Sequence, residues 1–148
     1  MYRKILIATD GSELADRALE HGLGLAKAVV AEVVLVTVTE MWSALEMSRQ
    51  AANDALHAID AYESIEAERA KRILATGAER AGTAGVSFET RHVSDRRPSE
   101  GILYAARETG CDLIVMATHG RRGVNRVLLG SQTNEVVTHS EIPVLVLR

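Results

Sequence analysis

Cysteine and aromatic residues are scarce in this chain of 148 residues. The one cysteine, Cys111, leaves neither an internal disulfide nor a cysteine-based metal framework possible. Aromatic residues make up 3% of the sequence. The core must therefore be built from Ala, Val, Leu and Ile side chains.

Long apolar runs and an excess of positive charge are also missing. The formal net charge of −3 argues against general affinity for nucleic acids. No apolar run approaches the roughly 20 residues of a membrane span, and the run from Ile5 to Ala8 is too short for a signal peptide. With 47% hydrophobic residues, we expect a single domain over residues 1–148, in the cytoplasm, with neither nucleic acid nor membrane as a partner.

Apolar runs alternate with helical patterns along the chain. Five buried strands are predicted, of which the third is more polar and therefore nearer a sheet edge: Ile5–Ala8, Val33–Val38, Val86–His92, Leu113–Met116 and Val144–Leu147. The predicted helices run from the Ser12 cap to about Val29, from Ala51 to about Ala81 with Gly82 and Gly85 ending it, from Pro98 to Arg107, and from Ser131 to His139. This order predicts an α/β, Rossmann-like fold with a doubly wound, five-stranded parallel sheet and helices on both faces.

Two turns with glycine follow the first and fourth predicted strands. If the strand order is 3-2-1-4-5, these strands flank the topological switch point, where open α/β sheets bind ligands. The first strand ends in Thr9-Asp10-Gly11-Ser12 and the fourth in Thr118-His119-Gly120. Gly130-Ser131 then opens the last helix, whose free N–H groups and dipole favour a phosphate. The pattern indicates a nucleotide site.

Simpler structural roles remain open for the same residues. Gly130-Ser131 can be a turn and a helix cap, and Asp10 can cap the first helix. A carboxylate beside phosphates needs a bridging cation such as Mg²⁺ or Mn²⁺, or else contacts a ribose hydroxyl. One or two of the arginines near this end of the sheet are expected to reach a triphosphate, while His119 is expected to pack against its loop. These arginines are Arg96, Arg97, Arg121, Arg122 and Arg126.

Motifs of dedicated enzymes are missing from the sequence. It contains no Gly-x-x-x-x-Gly-Lys-Ser/Thr loop, no Gly-x-Gly-x-x-Gly and no Gly-x-Ser-x-Gly. The Ser-Gly-Gly-x-Asp-Ser loop of ATP pyrophosphatases is absent as well. No constellation of nucleophile, base and oxyanion donor is found among the remaining residues, so at most slow hydrolysis of a bound nucleotide is expected.

Four segments carry a resemblance to a known family: residues 4–12, 111–121, 128–133 and 142–147. With these motifs the chain resembles the universal stress protein family over essentially its whole length. The nucleotide-binding branch of that family has a signature of Gly, two residues, Gly, nine residues, and Gly-Ser or Gly-Thr. Gly120, nine residues and Gly130-Ser131 fit it, and Ala117 occupies the position of the first glycine.

The resemblance implies a bound ATP, or ADP or AMP, with Mg²⁺ or Mn²⁺ held at Asp10 through the phosphates. It places Asp10 near the adenosine or the metal, and the backbone of Val38 at the adenine. Gly120 and Gly130 would line the phosphate path, and Ser131 and Thr133 would donate to phosphates. The full set of expected nucleotide contacts is Ala8, Thr9, Asp10, Val38, Met116, Ala117, His119, Gly120, Arg121, Arg122, Gly130, Ser131, Gln132 and Thr133.

The resemblance also implies a homodimer formed through the last strand, Val144–Leu147. The leading hypothesis is a small cytoplasmic stress-response protein that binds ATP and acts as a nucleotide-dependent regulator of an unknown protein partner. One alternative is a stress protein that binds no nucleotide and acts through protein contacts, which Ala117 and Arg96 would favour. The other is a slow Mg²⁺-dependent ATPase that uses Asp10.

Overall fold

A five-stranded, all-parallel sheet forms the centre of the molecule. The computed structural model describes residues 1–40, 55–119 and 129–148. The strand order is β3-β2-β1-β4-β5, as predicted, with every neighbouring pair parallel. In chain order the elements are β1 (Lys4–Ala8), α1 (Glu13–Val29), β2 (Glu32–Val38), α2 (Ala55–Ala84), β3 (Phe88–Val93), α3 (Pro98–Thr109), β4 (Leu113–Ala117), α4 (Ser131–His139) and β5 (Val144–Leu147).

The two faces of the sheet bury separate aliphatic cores. Ile5 and Ile7 of β1 pack with residues of α1 and α2, whereas Leu6 packs with residues of α3 and α4 on the opposite face. Side chains alternate between the faces of a strand, and both faces are covered, so β1 must be apolar at successive positions. The predicted α/β architecture with helices on both faces is thereby confirmed.

Two helices approach the sheet closely at glycines. An added Cβ at Gly22 of α1 would lie 2.5 Å from Cδ1 of Ile7, and one at Gly101 of α3 would lie 2.6 Å from Cγ1 of Val38. Both distances are shorter than van der Waals contact, so glycine is required by packing rather than by backbone conformation. The contact between Gly101 and Val38 sets the distance between α3 and the end of β2.

The end of α2 differs from the prediction. The helix continues through Gly82 to Ala84, and Gly85 ends it with a left-handed φ of +71°. Glycine inside a helix costs only about 1 kcal/mol relative to alanine, and the neighbouring Ala81 anchors this last turn in the core. The predicted third strand also shifts, since β3 begins at Phe88 rather than Val86. It lies at the sheet edge, as its polarity predicted. The predicted start of α2 at Ala51 lies outside the described residues.

Cys111 is buried directly before β4. Burial raises the pKa of its thiol, an effect that the hydrogen bond with Thr109 opposes. The thiolate is therefore disfavoured at neutral pH, in agreement with the inert packing role expected for this residue. Among the described helices, none combines the length and the apolar character needed to cross a membrane.

Candidate functional site

The turn after β1 is held in place by its own polar groups. The backbone N–H of Ser12 donates to Oδ1 of Asp10 at 3.0 Å, and that of Gly11 donates to Oγ1 of Thr9 at 3.3 Å. Thr37 of β2 donates its hydroxyl to the carbonyl of Thr9 at 2.8 Å. Asp10 therefore shapes the turn before α1 but is not the N-cap of that helix, the structural role that the sequence left open for it.

Ser12 and Gly11 complete the turn. Oγ of Ser12 accepts from the N–H of Ala15 at 3.2 Å, which confirms Ser12 as the N-cap of α1. Gly11 has a left-handed φ of +76°, and a Cβ there would lie 3.0 Å from Cγ1 of Ile73 on α2. Both the conformation and the packing thus require glycine at this position.

The first turn of α4 is bound directly to the end of β4. The N–H of Gly130 donates to the carbonyl of Thr118 at 2.9 Å. The hydroxyl of Thr133 donates to the carbonyls of Thr118 at 2.9 Å and Ala117 at 3.1 Å. A Cβ at Gly130 would lie 2.9 Å from the Thr118 oxygen, so glycine allows this contact.

The N-cap residue of α4 has no side chain with which to cap the helix. Gly130 is its N-cap residue and makes no side-chain cap hydrogen bond. The first N–H groups of a helix have no partner within the helix, and its dipole places partial positive charge there. Ser131, the first helical residue, is exposed. This helix start has the chemistry of an anion site and lies beside the end of β4, which is paired with β1.

The methyl group of Ala117 is accommodated in the core. Ala117 is 7% exposed and belongs to the aliphatic cluster beneath α1 and α2. Its extra carbon is therefore compatible with the fold at the position of the first signature glycine. This placement weakens the argument that Ala117 closes the site.

Three other predicted contacts also have structural neighbours. Ala8, Val38 and Met116 pack in or against the opposite core, beneath α3 and α4. Nδ1 of His119 lies 3.1 Å from Oγ1 of Thr118, which agrees with the packing role expected for that side chain. The nucleotide contacts predicted for these residues stay predictions. Gly120, Arg121 and Arg122, as well as Arg126, lie outside the described residues.

A link between α3 and α4 was not foreseen from the sequence. Oε1 of Gln132 accepts from the N–H of Ser99 at 3.0 Å and so caps α3, whose own N-cap residue, Arg97, makes no side-chain cap hydrogen bond. Glu135 receives a hydrogen bond from Oγ of Ser99 and an ion pair from Arg97, both at 3.4 Å. The Pro98-Ser99 helix start signals a missing cap, but only the fold shows that α4 supplies it.

The arginines that follow β3 contact side chains of their own chain. The guanidinium of Arg96 lies over the ring of Tyr104, 4.1 Å from its centroid. Arg97 pairs with Glu135. Both contacts are with exposed groups and are weak on their own, so either arginine can exchange its partner for an anion.

Replacing Gln132 tests its capping role. We expect Gln132→Leu to lower the free energy of unfolding by about 0.5–2 kcal/mol, because α3 loses its side-chain cap. Gln132→Glu keeps an acceptor oxygen and should restore most of that loss. Urea unfolding of the two variants measures the effect; equal destabilisation by both would contradict the capping role.

A metal site built from protein ligands alone is not found in the described ranges. No three or more His, Cys, Asp or Glu side chains gather there in a way that could hold a metal ion. A cation at Asp10 would thus take most of its ligands from phosphate oxygens and water. That arrangement fits Mg²⁺ or Mn²⁺, which bind proteins through few carboxylates.

The comparisons with known proteins agree on one family. The sequence profile of the Universal stress protein family matches residues 1–148. The chain belongs to this family. A universal stress protein of Thermus aquaticus is 34% identical over 148 residues, which is all of both chains. The structure of the universal stress protein UspA from Lactobacillus plantarum superposes with a TM-score of 0.84 at 25% identity, covering 99% of this chain and 98% of that one.

Two further structures of universal stress proteins hold nucleotides. One is a complex with cAMP, with a TM-score of 0.68 at 24% identity, covering 99% of this chain and 97% of that one. The other, from Archaeoglobus fulgidus, is a complex with dAMP, with a TM-score of 0.70 at 18% identity, covering 99% of this chain and 98% of that one. At these identities the likeness concerns the fold.

Proposed function

We propose that this universal stress protein binds an adenine nucleotide, ATP in the first place, at the carboxyl ends of β1 and β4. The observation that carries the proposal is the N-terminus of α4, which begins at a glycine without a capping side chain and is held against β4 by the contact between Gly130 and Thr118. A preformed helix start at a topological switch point is a favourable phosphate site. Family members of the same fold that hold cAMP and dAMP support an adenine nucleotide as the ligand.

The phosphate donors in this proposal are the exposed start of α4 and the signature loop. Ser131 offers its N–H and its hydroxyl, while Gly120, Arg121 and Arg122 belong to the loop that precedes it in sequence. The hydroxyl of Thr133 already donates to two carbonyls. It would have to leave them to donate to a phosphate, so we assign Thr133 mainly to positioning α4.

The adenosine is assigned to the ends of β1 and β2. Val38 is half-buried, and its side chain contacts α3 at Gly101, so we assign its backbone rather than its side chain to the adenine. Asp10 already accepts from Ser12 through Oδ1. Its carboxylate charge is assigned to a phosphate-bound Mg²⁺ or Mn²⁺. Binding then acts as a regulatory signal, by stabilising one conformation of the protein over another.

Titration calorimetry with Asp10→Asn tests both the ligand and the metal. ATP should bind the wild type in the presence of Mg²⁺, and more weakly in EDTA. Asparagine keeps an oxygen that accepts from Ser12 but has no charge. We therefore expect Asp10→Asn in Mg²⁺ to match the wild type in EDTA, with an unchanged unfolding midpoint. ADP and AMP, titrated in parallel, rank the nucleotides.

Two results would contradict the proposal. No heat of binding, from protein shown to be free of co-purified nucleotide, would favour the alternative that the protein acts through protein contacts alone. Steady-state turnover of Mg·ATP that is lost in Asp10→Asn would instead favour the ATPase alternative, because a regulator needs no such turnover.

We also infer a homodimer through β5, in the cytoplasm, with a further protein partner. Among the described strands, β5 has a neighbour on one side only. Leu145 of β5 and Val137 of α4 are exposed apolar side chains near this edge. A second copy would cover them while pairing the free backbone groups. Light scattering of the wild type and of Leu145→Asp, which should be monomeric at this edge, measures the effect.

A further inference from the structure

The opposite edge of the described sheet is formed by β3, whose backbone groups point away from the sheet at alternate residues. Within the described sheet, β2 is the only neighbour of this strand. The carbonyls of Ser87 and Val93 accept from Val33 and Thr39 of β2, each at 2.9 Å. Since strand residues alternate in direction, Ser87, Glu89, Arg91 and Val93 direct their backbone groups toward β2. The N–H and C=O groups of Phe88, Thr90 and His92 therefore point away from the sheet.

The charges along β3 are complementary to themselves in one antiparallel register. The sequence about Thr90 is Phe88-Glu89-Thr90-Arg91-His92. An antiparallel copy centred on Thr90 sets Thr90 opposite itself and Glu89 opposite Arg91 of the copy. Opposite charges directly across a strand pair stabilise the pair. A shift of the register by one residue would break these charge pairs and would turn the side chains to the other face of the sheet.

The backbone pattern fits the same register. Centred on Thr90, the pairs Thr90–Thr90 and Phe88–His92 join residues whose backbone groups both point outward. Such residues form the hydrogen-bonded pairs of an antiparallel ladder, and each pair exchanges two N–H···O bonds. Glu89 and Arg91 then fall in the non-hydrogen-bonded pairs, where side chains lie closest. Charge and hydrogen bonding thus select one arrangement independently.

The surface beside β3 combines an exposed aromatic side chain with a groove. Phe88, the one phenylalanine of the chain, is 38% exposed at this edge. A groove of about 380 Å³ lies between β3 and α2, where Ala67, Ala75 and Ala78 present small side chains and Lys71 the one charge. Thr90 and His92 also line the groove. In the proposed arrangement, α2 of the second copy approaches this alanine-rich flank.

We propose that β3 is a second self-association edge, at which two copies of this chain pair antiparallel with Thr90 on the twofold axis. Glu89 now pairs with Lys4 at 3.1 Å and contacts Arg91 of its own strand at 3.8 Å. In the pair of copies, the exposed Arg91 exchanges its contact for Glu89 of the other copy. Registers that set like charges opposite one another are disfavoured. The edge therefore favours pairing with its own sequence over pairing with unrelated strands.

Disulfide trapping with Thr90→Cys tests the register directly. In a hydrogen-bonded antiparallel pair the Cα atoms are about 5.5 Å apart, within the range that a disulfide bridges. Ser87→Cys is the matched control on the same edge, because residue 87 lies opposite residue 93 and thus about 20 Å from its own counterpart. We expect a covalent dimer of Thr90→Cys under mild oxidation, and little from Ser87→Cys or the wild type, whose one thiol is buried.

Charge reversal in the Thr90→Cys background provides an independent test. Glu89→Arg and Arg91→Glu each set like charges opposite one another, so either variant alone should cross-link poorly. An equal mixture of the two restores both opposite-charge pairs and should recover the yield as mixed dimers, identified by a mass tag on one variant. Unfolding midpoints near that of the parent check that each variant folds.

Denaturing gels separate copies associated at β5, so only the covalent link at β3 is counted. Equal yields from Thr90→Cys and Ser87→Cys would overturn the proposal, since they would indicate random collision. It would equally be overturned by a mixture that cross-links no better than its components. Binding of ATP is not part of either test.

Discussion

Gly130→Val should abolish the increase in unfolding midpoint that Mg·ATP gives to the wild type. The φ of Gly130 is −58°, which any residue can adopt. Glycine is therefore required at this position only by close packing, because a Cβ would lie 2.9 Å from the carbonyl oxygen of Thr118. A branched side chain there pushes the start of α4 away from β4 and breaks the hydrogen bond between Gly130 and Thr118. Both effects remove the proposed phosphate site.

The expected size of this loss is large. A ligand that binds only the native state stabilises it by about 2.7 kcal/mol at 100 times its dissociation constant. For Gly130→Val we expect no stabilisation by Mg·ATP, measured by thermal unfolding with and without millimolar ligand. Gly130→Ala introduces only the Cβ and serves as the milder variant if valine prevents folding. A full increase in midpoint for both would place the phosphates elsewhere.

Gly101→Ala should destabilise the protein although alanine is the better helix former. The new Cβ would lie 2.6 Å and 2.7 Å from the two methyl carbons of Val38. A β-branched side chain has few rotamers and cannot turn both methyls away. Overpacking of this kind costs about 1–3 kcal/mol, more than the roughly 0.5–1 kcal/mol gained from helix propensity. Movement of Val38 should also weaken ATP binding.

Gly24→Ala provides the matched control in α1. A Cβ at Gly24 meets nothing within 4 Å, so the same chemical change should stabilise the protein by helix propensity alone. Urea unfolding of the two variants should therefore give changes of opposite sign. Val38→Ala combined with Gly101→Ala should be less destabilising than the sum of the single changes. Changes of equal sign in Gly101→Ala and Gly24→Ala would contradict the close packing of α3.

Local patterns were sufficient where a segment's own chemistry selects its structure. The Ser12 cap and the bounds of α4 and β5 follow from local capping and apolar patterning, and the structure confirms them. The alternation of strands and helices with right-handed crossovers predicted a doubly wound sheet, and the structure confirms the strand order 3-2-1-4-5 that was assumed for it. The predicted end of α2 at Gly82 was wrong because helix propensity is a weak local preference, which the packing of α2 overrides.

Roles that depend on distant neighbours were not available from the sequence. The side chain of Gln132 caps α3 at Ser99, 33 positions away in sequence, and its predicted contact with a nucleotide stays a prediction. The hydroxyl of Thr133 donates to two carbonyls at the end of β4, which no local pattern predicted. Which partner a polar group meets depends on how the helices sit on the sheet.

The sequence by itself determined the fold class, the family and the pair of turns at the switch point. Apolar periodicity, glycines and helix caps are local signals, and each constrains only a few neighbouring residues. The tertiary structure alone decided that Ala117 fits within the core, that Gly130 touches Thr118, and that α3 depends on α4 for its cap. These are contacts between elements far apart in the chain, and close packing selects them only when the whole sheet is assembled.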